Sequence, residues 1–344
     1  MPTFAMQAAV QIRKLQKVYI GRDVSKRLGL KLMPFNTQDV TELIYEREDV
    51  NRGIQNARGS GNPAGAVVRP DISEKRFTPG HYGDTYVIDE SELENRREVG
   101  TWTEFEKQGA LSDKIARLFT DRYLDRVEKN IFDILCTGKF EARTPSRGGT
   151  GPVVVRSIHN IPQYTPANLF SNLTTSTPIQ YFRSLMPQLQ LGVSVDFRQG
   201  WAIANRNTIN TILNNQNSTD ISSRRTNSGD TVNDLSSLNA ILASNDIFNL
   251  TEYHKGYFPE GNGNPMVTFI PDGKIILVGT REDGEPIGDY VLTRNAHNAN
   301  SAPGEHFMVN DYRTKTPPHI EMTAGHNGGP VPLYLEAMAI INAY

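Results

Sequence analysis

The sequence predicts an α+β fold in which one long helix forms a spine between an extended N-terminal region and a mixed C-terminal half. Three observations carry this reading. Apolar residues recur at every fourth position from Leu111 to Leu135, the spacing of a helix with one buried face. From Gly200 onward, short strand-like and helix-like patterns alternate. Ahead of the helix the chain is dense in charge, glycine and proline, which marks arm and loop rather than core.

The N-terminal segment is weakly amphipathic, with Ile12, Leu15 and Val18 or Tyr19 at helical spacing among basic residues. The stretch Thr37 to Tyr45 suits either a helical turn or a strand. Neither has the apolar mass of a domain, so an arm that docks on something else is expected. Gly53, Gly59, Gly61, Pro63, Gly65 and Pro70 punctuate residues 51–75. Two strand-like pieces follow between Arg76 and Ile88, and Asp89 to Glu98 is too charged for core. A long two-stranded flap accounts for residues 51–105, and such a hairpin needs a neighbour for support.

In the helix, Leu111, Ile115, Phe119, Tyr123, Val127, Ile131 and Leu135 form the stripe, widened by Leu118, Leu124 and Phe132. Ser112 is the expected N-cap, Gly138 the expected terminator, and Asp125 and Lys129 an outward i,i+4 pair. About 25 residues at ~1.5 Å each give a rod of roughly 37 Å. Val153-Val-Val reads as a strand. A second helix is expected from Pro178 to about Leu191, with Pro187 bending it or ending it early. Trp201–Ala204 reads as a strand, and Arg206–Leu213 and Val232–Leu242 as helices. The polar tract 214–230 reads as surface loop. Val267 to Val278 carries Pro271-Asp-Gly273 between β-branched runs, a hairpin signal whose second strand, Ile275 to Val278, is apolar on both faces. Extended pieces at Tyr290–Leu292, His306–Val309 and Leu333–Ile341 end the chain.

At 344 residues with 38% hydrophobic content, the chain can bury a sizeable core. It has no apolar run near the ~18 residues of a membrane span, and its first residues lack a signal-peptide layout. The one cysteine, Cys136, rules out an internal disulfide framework and fits a reducing compartment. A soluble intracellular protein without membrane contact is expected. The net charge of −2 conceals segregation. Residues 1–38 hold seven basic residues against Asp23, a balance of +6, whereas residues 84–106 hold eight acidic residues against Arg96 and Arg97, a balance of −6. Opposite patches on one chain can pair within it, between copies, or with different partners.

Chemistry is poorly represented. The glycine-rich stretch Arg58 to Gly65 lacks phosphate-loop spacing and its lysine. Gly192-Val-Ser-Val-Asp196 misses the second glycine of a nucleophile elbow. The seven histidines are scattered, without metal-ligand spacing. The acidic cluster at 89–98 lacks the glycine turn of a calcium loop. Cys136 lies on the apolar side of the helix, as a buried hydrophobe would. No catalytic residue, cofactor or metal is expected.

Two segments carry a family resemblance: Phe269-Ile-Pro-Asp-Gly-Lys-Ile-Ile-Leu-Val-Gly279 and the terminal Pro330-Val-Pro-Leu-Tyr-Leu-Glu-Ala-Met-Ala-Ile-Ile-Asn-Ala-Tyr344. They resemble the aromatic-x-Pro-Asp-x-basic hairpin and proline-containing C-terminal strand of tailed-bacteriophage major capsid proteins, in particular the lambda major head protein family. The order of arm, long loop, spine helix and mixed domain is also similar. The resemblance implies a Hong Kong 97-type capsid fold. It divides the chain into an N-terminal arm (1–50), an E-loop (51–108), a P-domain with the spine helix (109–180), an A-domain (181–289) and P-domain C-terminal strands (290–344).

As function, the resemblance implies a major head protein that assembles as hexamers and pentamers into an icosahedral shell around double-stranded DNA, found in the virion and assembled in the host cytoplasm. Implied partners are a portal, a separate scaffolding protein, a decoration or cement protein, and DNA held non-specifically. The charge pattern adds candidate inter-subunit residues: Arg13, Lys14 and Lys17 on the arm, and Glu90, Glu92, Glu94, Arg96, Arg97 and Glu98 on the loop. Two alternatives stand beside this. One is an α+β enzyme with a dispersed site such as Asp272, His297 and Glu305. The other is a tail or decoration protein.

Overall fold

Burial decides which sequence patterns become elements. The computed structural model describes residues 24–40, 42–48, 72–89, 108–146, 149–189, 195–216, 234–259, 264–281, 284–294, 304–311 and 319–344. A short helix α1 (Leu28–Leu32) leads to strands β1 (Phe35–Thr37), β2 (Leu43–Glu48), β3 (Ile72–Phe77) and β4 (Gly80–Asp89), then to the spine helix α2 (Gln108–Thr137). Next come β5 (Lys139–Ser146), β6 (Gly149–Ile158), β7 (Gln163–Tyr164) and α3 (Pro178–Leu189). The mixed half contains β8 (Val195–Ala204), α4 (Arg206–Leu213), α5 (Leu235–Ser244), β9 (Leu250–Glu252), β10 (Gly256–Tyr257), β11 (Val267–Thr268) and β12 (Lys274–Arg281). The chain closes through β13 (Gly288–Leu292), β14 (Glu305–Asp311), β15 (His319–Pro332) and β16 (Met338–Asn342).

Two five-stranded sheets organise these pieces. In the first, β15 pairs antiparallel with β4, β13 and β14, and β1 adds parallel to β13. The second has the order β7-β16-β12-β8-β9. Its central strand β12 runs antiparallel to both neighbours, and Ile275 to Val278 are all buried, as their unbroken apolar run predicts. Residues 290–344 are therefore shared between the sheets, with β15 in the first and β16 in the second.

The spine helix matches its pattern with three differences. Ile115, Phe119, Tyr123, Leu124, Val127, Ile131, Phe132 and Leu135 are buried, but Leu118 is 47% exposed. Leu118 stands four and seven residues before Arg122 and Asp125, on the outward row. The helix starts at Gln108, so Ser112 lies inside it. The expected Asp125–Lys129 pair is replaced: Asp125 binds Arg27 at 2.6 Å, and Lys129 turns to Asp133. A tertiary partner arriving beside α1 displaces the local one.

Two expected hairpins are rearranged. Of the flap expected over 51–105, residues 51–71 and 90–105 lie outside the described residues; its described pieces do not pair with each other, since β3 pairs with β2 and β4 joins β15 in the first sheet. The Pro271-Asp-Gly273 turn likewise joins strands that part: β11 pairs with β10, whereas β12 is taken by β8 and β16. A fully apolar strand buries more between two partners than on a hairpin edge. The remaining elements follow the sequence closely. α3 contains Pro187 and ends two residues later. α4 has its expected bounds, and α5 starts three residues late behind the Asp234 cap. Trp201–Ala204 is the second half of β8. Val153–Val155 belongs to β6, whose partner β5 the sequence reading misses. Residues 217–230 of the polar tract lie outside the described residues.

Gly138 terminates α2 at φ +71 and donates its N–H to Ile134 at 2.7 Å. A Cβ there would stand 2.3 Å from the His159 carbonyl oxygen. Gly138→Ala should therefore lower stability by about 1–3 kcal/mol, read as a shift in the urea midpoint with unchanged slope.

Candidate functional site

Of the residues proposed for chemistry, the two described ones, Asp272 and Glu305, serve different elements. The Asp272 carboxylate accepts from the side-chain amides of Asn205 and Asn207, the latter at 3.1 Å. Asn205 in turn caps α4 by accepting from the Thr208 N–H at 2.8 Å, and Thr208 Oγ1 accepts from the Gly273 N–H at 2.9 Å. Asp272 thus staples the turn before β12 to the start of α4. Glu305 opens β14 in the other sheet, and His297 lies outside the described residues. Cys136 is buried, and loss of solvent pushes its thiol up to about 12. Among the described residues no three His, Cys, Asp or Glu side chains gather as metal ligands, and no helix is long and apolar enough to cross a membrane.

The described residues converge instead on the spine helix. Toward the first sheet, Asn130 donates to the Tyr290 hydroxyl at 3.2 Å, and that hydroxyl lies 3.1 Å from His326 Nε2. Tyr82 stacks on His326 at 4.9 Å, Tyr123 meets the same ring edge-on at 4.5 Å, and Arg126 lies over Tyr82. Burial pushes the Tyr82 phenol up to about 12. Toward the second sheet, Phe132 stacks on Tyr253 and Phe269 at 5.1 and 6.3 Å between ring centroids. Lys274 Nζ donates to the Cys136 carbonyl at 2.7 Å near the end of the helix.

Between these contacts sits Glu128, fully buried. Its Oε1 accepts from the Gly29 N–H at 3.0 Å and from the Tyr253 hydroxyl, so one oxygen holds α1, the helix and the segment after β9. Its Oε2 has no hydrogen-bond partner among the described residues. Burial raises the carboxyl above its ordinary range, against the opposing pull of the Tyr253 and Gly29 bonds and the Arg27 and Lys255 charges. The Tyr253 phenol is raised as well, by burial and then by Glu128. Gly29 is glycine for space, since a Cβ there would lie 3.1 Å from Oε2. The sequence reading passed over Glu128. Its signal was a lone acid in the row Leu124–Glu128–Phe132, four residues from each apolar neighbour; Gly29 and Tyr253 carry no comparable sign.

The candidate inter-subunit residues Arg13, Lys14, Lys17, Glu90, Glu92, Glu94, Arg96, Arg97 and Glu98 all lie outside the described residues. Two described members of the same charged segments are engaged within the subunit. Arg27 binds Asp125, and Asp84 receives Arg122 in a fork at 2.7 and 3.0 Å. Among the exposed apolar side chains are several on the two-stranded ribbons: Ile44 on β2/β3, Val153, Val155 and Ile158 on β5/β6, and Val267 with the adjoining Phe258 and Met266 on β10/β11; others, such as Val87, Trp201 and Met308, lie on the five-stranded sheets.

Similarity to solved structures covers nearly the whole chain. A putative prophage capsid protein from E. coli CFT073 matches with a TM-score of 0.56 at 13% identity, over 98% of this chain and 99% of that one. The capsid structure of cyanophage P-SCSP1u matches at 0.51 and 6% identity, covering 91% of this chain and 86% of that one. The chain has the Hong Kong 97-type capsid fold. A phage-related protein from Bordetella bronchiseptica RB50 matches at 0.50 and 10% identity, over 97% and 96% of the two chains. No family model and no curated protein sequence matches this chain. In this chain the spine helix is the member against which α1 and both sheets are set, and Glu128 stands where α1 meets it.

Tyr253→Phe removes one of the two donors to a buried carboxyl oxygen. It should reduce stability by about 1–3 kcal/mol, measured by urea unfolding against wild type.

Proposed function

We propose that this chain is the major capsid protein of a tailed bacteriophage, self-assembling into an icosahedral shell around double-stranded DNA. The observation that carries the reading is the fold match to the prophage capsid protein along nearly the full length of both chains. The sequence supports it independently through the order of arm, loop, spine helix and mixed domain. The exposed apolar ribbons suit a subunit whose neighbours are copies of itself, because two-stranded ribbons need external support.

In this reading residues 1–50 form the arm, 51–108 the E-loop, 109–180 the P-domain with its spine, 181–289 the A-domain and 290–344 the closing P-domain strands. The bonding of β16 to β12 argues for moving that last strand to the A-domain. Hexamers and pentamers, a scaffolding protein, a portal, a decoration or cement protein and non-specifically held DNA are the proposed partners. The virion is the final location, after assembly in the host cytoplasm. Catalysis has no part in this role.

The segregated charge suggests how copies hold one another. The acidic loop residues Glu90, Glu92, Glu94 and Glu98 lie on the basic arm of a neighbour, at Arg13, Lys14 and Lys17, with Arg96 and Arg97 also candidates for the contact. Each exposed pair contributes only ~0–1 kcal/mol, so single contacts stay correctable while many repeats stabilise a shell.

Expression beside the neighbouring genes, followed by negative-stain microscopy of sedimenting material, tests the function. Closed shells of uniform diameter with this chain as the dominant band are expected, and small soluble oligomers alone would overturn the proposal. Arg13→Glu with Lys17→Glu should reduce shell yield, and adding Glu92→Lys and Glu94→Lys should restore it. Unchanged empty shells with impaired packaging would place the arm against DNA instead.

A further inference from the structure

We propose that Glu128 is a protonated acid that latches the N-terminal segment to the spine helix, and that its ionisation opens the latch. The inference concerns the subunit alone and does not depend on the shell reading. Its first ground is the bond pattern. A carboxylate spreads its charge over two acceptor oxygens, whereas a carboxylic acid has one carbonyl acceptor and one hydroxyl. Here both donors, the Gly29 N–H and the Tyr253 hydroxyl, converge on Oε1, and Oε2 has no partner among the described residues. Oε1 is the carbonyl oxygen of a neutral acid, and Oε2 carries the proton.

The second ground is the surroundings. Two cations face the site: Arg27 pairs with Asp125 at 2.6 Å on the helix, and Lys255 donates to the Lys26 carbonyl at 2.5 Å while lying over the Tyr253 ring at 5.9 Å. Lys31 on α1 and His254 beside Tyr253 are exposed. A Cβ placed at Gly29 would stand 3.1 Å from Oε2 and 3.3 Å from Ile131 Cγ2, so the backbone of α1 lies close against the carboxyl. A buried charge with one bare oxygen is costly, and desolvation raises the carboxyl accordingly.

The third ground is what the carboxyl holds. α1 docks through Leu28, Leu30 and Leu32, and its backbone is tied to the spine helix by the Gly29 bond to Glu128. Lifting this turn admits water to Oε2 and leads directly back into the arm. The folded value is raised above the ordinary 4.5. The carboxyl's contribution to docking is therefore complete below that ordinary value and is lost as pH rises through the folded one.

Hydrogen exchange of the full, unassembled chain tests this, followed at the amides of residues 28–32 and corrected for intrinsic exchange. In wild type the opening equilibrium should rise by up to about tenfold per pH unit between the ordinary 4.5 and the folded value, and level off above the folded value. Glu128→Gln, neutral at every pH, should keep the segment closed with a flat profile. The same pH profile in both proteins would overturn the proposal. A second readout needs no variant: infrared spectra of wild type should lose a carboxylic-acid carbonyl band over the pH range in which protection is lost. No such band at the pH where the segment is protected would also overturn it. Both readouts are taken on the subunit, so their failure leaves the shell proposal standing, and failure to form shells leaves the latch standing.

Discussion

The structure depends on one constraint: the spine helix must bury two sides at once. Its Tyr123 and Asn130 reach the His326–Tyr290 cluster of the first sheet, and its Phe132 reaches Tyr253 and Phe269 beside the second. Val127 and Ile131, fully buried, lie between these sides. A helix buried along one stripe would leave the sheets independent. The wider apolar face makes a single core from elements far apart in sequence. Dispersion and desolvation across that core, rather than any ion pair, hold the subunit together.

Polar groups at this joint confer specificity more than strength. Glu128 sits among leucine and phenylalanine rows, where an apolar residue of similar volume would avoid the desolvation penalty. It instead fixes where α1 lies and which face of Tyr253 points inward. The surface follows a different rule. Arg27 and Asp84 take intramolecular partners on the spine helix. The ribbons expose apolar side chains at their outer positions.

Much of this was legible in the sequence, and the exceptions share a cause. The spine helix, α3, α4 and the buried run of β12 were readable because periodicity and length act locally. Partner choice was not. Pro271-Asp-Gly273 predicts a turn correctly, yet nothing local shows that Ile275 to Val278 will be claimed by β8 and β16. The two strand-like pieces before the spine helix part for the same reason, since β4 pairs with β15, over 200 residues away. Glu128 was visible as an acid in an apolar row, but its partners at Gly29 and Tyr253 come from distant segments. The charge segregation was plain in the composition, although the residues that carry most of it lie outside the described ones.

The central claim is that one helix face unites both sheets, and hydrogen exchange of Phe132→Ala tests it most directly. Truncating this fully buried ring should cost about 3–5 kcal/mol. Although the Phe132 ring stacks on Tyr253 and Phe269 on the second-sheet side, protection at Ile275–Val278 and at Ile320–Val331 should fall together and by similar factors. Loss confined to Ile275–Val278, with the first sheet as protected as in wild type, would show two independent cores and contradict the account.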